Sequence, residues 1–63
     1  MLDNAKYNKV KILHDLSGLC WFIEKHALAD AQKSNDTECI SLLENLKKEL
    51  EKQIDLFQKI AHK

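Results

Sequence analysis

Leu13-His14-Asp15-Leu16-Ser17-Gly18-Leu19-Cys20-Trp21-Phe22-Ile23 is the stretch whose reading decides the fold. It contains the only Trp and the only Gly of the chain, one of its two Cys, and a His followed by an acid. At about 100° per residue, Leu16, Leu19, Cys20 and Ile23 share a helical face with Ile12 and Ala27. Tyr7, Val10, Trp21 and Leu28 form a second apolar stripe, about 150° round the same helix. The run from Leu19 to Ile23 is apolar nearly all the way round. One partner helix cannot cover both stripes, so this segment predicts a helix that meets more than one neighbour.

Working outward, nothing breaks that helix for a long way. The chain has no Pro, and Gly18 alone weakens the run, by about 1 kcal/mol relative to Ala. Asp3 or Asn4 can cap its start. The first helix is predicted over about 4–32, roughly 40 Å of rise. The turn is placed at 33–35, in Lys33-Ser34-Asn35, with Asn35 and Glu38 at the spacing of a capping box. A second helix is predicted over about 36–61. Its stripe is Cys39, Leu43, Leu46, Leu50, Ile54, Phe57 and Ala61, with steps of three and four. Leu42, Leu56 and Ile60 widen it on one flank. Glu44–Lys48 and Asp55–Lys59 are spaced as i,i+4 pairs in the favourable order. So short a turn brings the helices back antiparallel.

The expected fold is therefore all-α: a single domain over residues 1–63, built as a two-helix antiparallel hairpin. A chain of 63 residues buries little core by itself. The economical way to cover both stripes of the first helix is to dimerise into a four-helix bundle. The alternative is a heterodimer with another helical protein. The residues expected to carry association are Leu16, Leu19, Trp21, Ile23, Leu43, Leu46, Leu50 and Phe57.

Composition narrows the partners. Acidic and basic residues number ten each, and every basic residue is Lys. Arg is the preferred fork for phosphate and guanine, so a neutral chain without it is not expected to read nucleic acid. No apolar run approaches a membrane span, and the polar start carries no secretory pattern, so a cytoplasmic protein is expected. Folding back near Ser34 offsets Cys20 from Cys39 by about 13 Å along the hairpin. That is beyond the ~7 Å Cα reach of a disulfide, so two reduced thiols are expected.

His14-Asp15-Leu16, on the first helix of a dimerising hairpin, resembles the phosphoacceptor box of the dimerisation and histidine-phosphotransfer hairpin of sensor histidine kinases. His14-x-Leu16-x-Gly18 is also similar to the box of histidine phosphotransfer domains. The resemblance covers nearly the whole chain. It implies His14 as phosphoacceptor and Asp15 as a neighbouring proton acceptor. The chain departs from the pattern at Ser17, where both families carry a basic residue. It departs again at Gly18, where the kinases carry Thr or Asn, and at Leu19, where they carry Pro. Without an ATP-binding domain the chain is not itself a kinase.

Other chemistry finds little footing. No Glu has His three residues on, as the helical di-iron motif requires. His26–Asp30 and Cys20–Glu24 share faces but supply no set of three or four ligands. Neither His14 nor His26 lies at helical spacing from Cys20, and a hairpin offers no pocket. The expectation is a non-enzymatic interaction module without cofactor or metal, its partner a second copy or another helical protein. A phosphorelay through His14 is the alternative.

Overall fold

In the computed structural model, which describes residues 3–61, the chain is an all-α antiparallel hairpin. Helix α1 spans Asn4–Phe22, a π-helical turn spans Ile23–Ala27, α2 spans Leu28–Lys33, and α3 spans Thr37–Ala61. The first long helix thus ends one residue beyond the expected 32, and α3 starts one residue after the expected 36. Residues 1–2 and 62–63 of the single expected domain lie outside the described residues.

Each boundary has a local cause. At the start, the Asp3 carboxylate accepts from the Lys6 backbone N–H at 2.8 Å, which satisfies one orphan donor of the first turn. At the hairpin, Asn35 adopts φ 55°, in the left-handed region that Asn tolerates better than most residues. Its N–H donates to the Gln32 carbonyl at 3.2 Å, and the Asp36 N–H donates to the Ala31 carbonyl at 3.0 Å. That pair of bonds is a Schellman C-cap. Asp36 then starts the next helix: its carboxylate accepts from the Cys39 N–H at 3.1 Å, and its carbonyl from the Ile40 N–H at 2.9 Å. The expected capping box on Asn35 is therefore corrected. Asn35 closes the first helix and Asp36 caps the second, because Asn35 is already committed to a conformation that cannot serve as a cap.

The sequence predicts no interruption inside the first helix, and here the structure differs. The Leu28 N–H donates to the Ile23 carbonyl, five residues back. A π turn of this kind takes up one extra residue and rotates the next stretch of helix by about 100°. Leu28, which regular spacing put on the second stripe with Val10 and Trp21, is turned toward α3 and is half-buried. Ala31 is turned with it and is one of three buried residues.

The seam between the helices follows from these phases. On the first arm Leu13, Leu16, Cys20, Ile23, Ala27 and Ala31 are buried or half-buried, at steps of three and four. On α3 the same holds for Ile40, Leu43, Lys47, Leu50, Ile54, Phe57 and Ala61. Both are heptad spacings, those of two helices packed as a coiled coil. Leu46, expected on the core stripe, is 44% exposed, and Lys47 takes its place on the seam. The seam is thin. Among the described residues only Ile23, Ala31 and Leu50 are buried, and the hairpin measures 47 × 17 × 12 Å. Of the ion pairs expected on α3, Asp55–Lys59 closes at 3.4 Å, and Glu44–Lys48 is not among the pairs formed by the described residues.

Because the π turn absorbs one residue, deleting Lys25 converts it to regular α-helix while keeping Ala31 in phase with Ile23. The Lys25 deletion is expected to keep its melting temperature within a few degrees of wild type. Deleting the exposed Ser17 instead, inside regular α-helix, rotates Leu13 and Leu16 out of line with Cys20 and Ile23, and a clear drop is expected. Thermal unfolding followed by circular dichroism compares the two.

Candidate functional site: the uncovered faces of the hairpin

Among the described residues ten large apolar side chains remain 39–64% exposed, and they sort by helical phase onto two surfaces. Ile12, Leu19 and Phe22 flank the α1 seam on one side. On α3, which runs the other way, Leu42, Leu46 and Ile60 flank the seam on the matching side, with Leu56 just beyond. These residues share one broad face of the hairpin. The opposite broad face presents Glu44, Glu51 and Gln58 from α3, with Ser17 and Glu24 from the first arm, all exposed. Tyr7, Val10 and Trp21 form the second surface, a stripe one helix wide along the back of α1, away from α3.

His14 lies on that back stripe and is exposed. Gly18, one turn later, has open space around it: a Cβ built there meets nothing within 4 Å. No packing inside the chain therefore requires the glycine. Asp15 is held by Lys11, whose Nζ donates to its two carboxylate oxygens at 3.1 and 3.3 Å. That hydrogen bond, and then the carboxylate charge, raise the Lys11 ammonium above its ordinary pKa. Both partners are more than half exposed, so the pair contributes little to stability.

The π turn creates a grouping that regular spacing hides. The His26 ring stands 5.2 Å from Trp21, edge to face, and 5.6 Å from Phe22, tilted at 36°. Phe22 and His26 are i,i+4 neighbours on any helix. Trp21 and His26 are five apart and meet because the turn between them is widened. The cluster bridges the back stripe and the apolar broad face.

The residues expected to carry association fall into three groups. Ile23 and Leu50 are buried inside the hairpin, and Leu16, Leu43 and Phe57 are half-buried along the same seam. Leu19 and Leu46 are exposed on the apolar broad face. Trp21 is 55% exposed on the back stripe. The structure does not bring Trp21 onto one surface with Leu19 and Leu46. Sequence reasoning missed Phe22 and Ile12 as partners of the α3 flank, although the flanking set of Leu42, Leu56 and Ile60 was the signal for that side.

Among the described residues no group of three or more His, Cys, Asp or Glu side chains could hold a metal ion. The described surface has no pocket. No described helix is long and apolar enough to cross a membrane. Both cysteines are free thiols, half-buried on the seam. Comparison of the chain with protein-family models, curated protein sequences and solved structures gives no match.

With nothing in the way of a new methyl group, Gly18→Ala is expected to stabilise the chain by about 1 kcal/mol, through helix propensity alone. Urea unfolding measures it. A destabilised variant shows that another surface approaches the helix at Gly18.

Proposed function

We propose that this chain is a small protein–protein interaction module, a helical hairpin that associates with a second copy of itself to complete a four-helix bundle. The observation that carries the reading is the imbalance of its apolar side chains. Among the described residues three are buried while ten large apolar ones stay at least 39% exposed. A monomer of about this mass folded into a compact globule has roughly 4,200 Å² of accessible surface, whereas this hairpin has 5026 Å². Another helical surface is the natural cover for helical ridges and grooves. The role is that of a regulator, adaptor or chaperone-like partner in the cytoplasm, with no catalysis and no cofactor. Its two free thiols accord with a reducing compartment. A different helical protein in place of the second copy is the variant of this reading.

Sedimentation equilibrium across a wide concentration range, with and without reductant, tests it. A dimer of unchanged strength in reductant is expected. A chain that stays monomeric and fully helical at the highest concentration rules out self-association.

A second reading is phosphotransfer through His14. Its support is an exposed imidazole beside the open surface at Gly18, where a donor domain can approach. Asp15 then acts from within its ion pair with Lys11. Incubation with a phosphodonor should leave an acid-labile phosphoryl label on the wild type and none on His14→Gln. A label that survives the substitution removes His14 from the role.

A further inference from the structure

We infer that the second copy seats on the broad face formed by Ile12, Leu19 and Phe22 with Leu42, Leu46 and Ile60, and that the back stripe with Trp21 stays outside that interface. This placement rests on the self-association proposed above.

Three observations lead to this face. The first is that it gathers exposed apolar side chains from both helices, Ile12, Leu19 and Phe22 with Leu42, Leu46, Leu56 and Ile60, around two acids, Asp15 in its ion pair with Lys11, and Glu49. The opposite broad face has no such row of apolar side chains to bury: it presents the exposed Glu44, Glu51 and Gln58 from α3 and Ser17 and Glu24 from the first arm. The back stripe of Tyr7, Val10 and Trp21 belongs to one helix only. Two hairpins docked there would meet along a single line and leave α3 uncovered. A four-helix bundle needs both helices of each hairpin to face the other pair.

The second observation is size. The broad face measures 47 by 17 Å, on the order of 800 Å², which is the area each partner contributes to an interface of standard size. A contact along one helix offers less than half of that.

The third is charge. The chain carries ten acidic and ten basic residues and no net charge, so two copies approach without net repulsion. The α3 side of the face is the row Leu42, Leu46, Glu49, Gln53, Leu56 and Ile60, aliphatic at four of six positions. A mostly apolar surface on a chain without net charge suits an isologous contact, in which one patch meets its own copy across a two-fold axis. Phe22, 52% exposed at the π turn, is the largest side chain on the face and the natural anchor. The interface as placed draws Leu19 and Leu46 from the expected association residues and adds Ile12, Phe22, Leu42 and Ile60. It leaves out Trp21.

Sedimentation equilibrium of the full chain and four variants tests the placement, with circular dichroism on each sample. Leu42→Glu and Leu46→Glu are expected to raise the dimer Kd at least ten-fold. Val10→Glu and Trp21→Ala are expected to change it by less than two-fold. A second measurement needs no variant. In a dimer mixed from isotope-labelled and unlabelled wild-type chains, intermolecular NOEs are expected from the methyl groups of Ile12, Leu19, Leu46 and Ile60. The placement is overturned if Val10→Glu or Trp21→Ala breaks a dimer that Leu42→Glu leaves intact. It is overturned equally if the intermolecular NOEs come from Val10 and Trp21. Both outcomes move the interface to the back of α1 and leave self-association standing. A wild-type chain that is monomeric throughout removes the self-association itself.

Discussion

Two helices side by side share one seam, and everything else in this molecule depends on how little that seam can hold. Each helix turns only a narrow stripe toward its neighbour. With heptad spacing on both sides, the buried set among the described residues reduces to Ile23, Ala31 and Leu50. Half-buried residues continue the stripe in both directions, and Lys47 occupies one of its positions on α3. A lysine there lays its aliphatic stem along the seam and keeps its ammonium at the edge. The radius of gyration of 14.4 Å compares with about 11 Å for a compact domain of this length. The shape is that of an elongated two-helix hairpin.

With so small a core, the ends of the helices carry an unusual share of the specification. Asn35 and Asp36 divide the hairpin between them, one closing the first arm in a Schellman motif and the other opening α3. Ser34 supports the same corner, its hydroxyl donating to the Asp30 and Ala31 carbonyls at 3.2 Å each. The carbonyl of Ala31 thus accepts from both the Ser34 hydroxyl and the Asp36 N–H, directly above its own buried methyl group. Backbone satisfaction and side-chain burial meet at one residue, and the corner fixes which face of each helix enters the seam.

The π turn acts on the same problem from further along the chain. It lets the first arm keep Ile23 and Ala31 on one line although the sequence between them is a residue too long for regular helix. The extra residue widens the turn and carries His26 over Trp21. The surface consequences are set by phase alone. Ile12, Leu19 and Phe22 meet the α3 flank on one broad face, and the other presents Glu24, Glu44 and Glu51 without a comparable apolar row.

Much of this was legible in the sequence. The lack of Pro, the stripe from Cys39 to Ala61 and the polar turn near Ser34 determine an all-α hairpin with boundaries good to a residue, because helical period and backbone capping are local properties. The excess of apolar surface on the first helix was equally plain, since Leu19 to Ile23 cannot all face one neighbour. The tertiary structure decided the phases. Whether Leu46 or Lys47 lies on the seam depends on the crossing of two helices, which a one-helix stripe does not contain. Whether Leu28 faces α3 depends on a π turn that forms because Ala31 and Ile23 are both held against the same partner. Composition and period say how much apolar surface a chain has, and only the packing of one helix on another says which part of it is left uncovered.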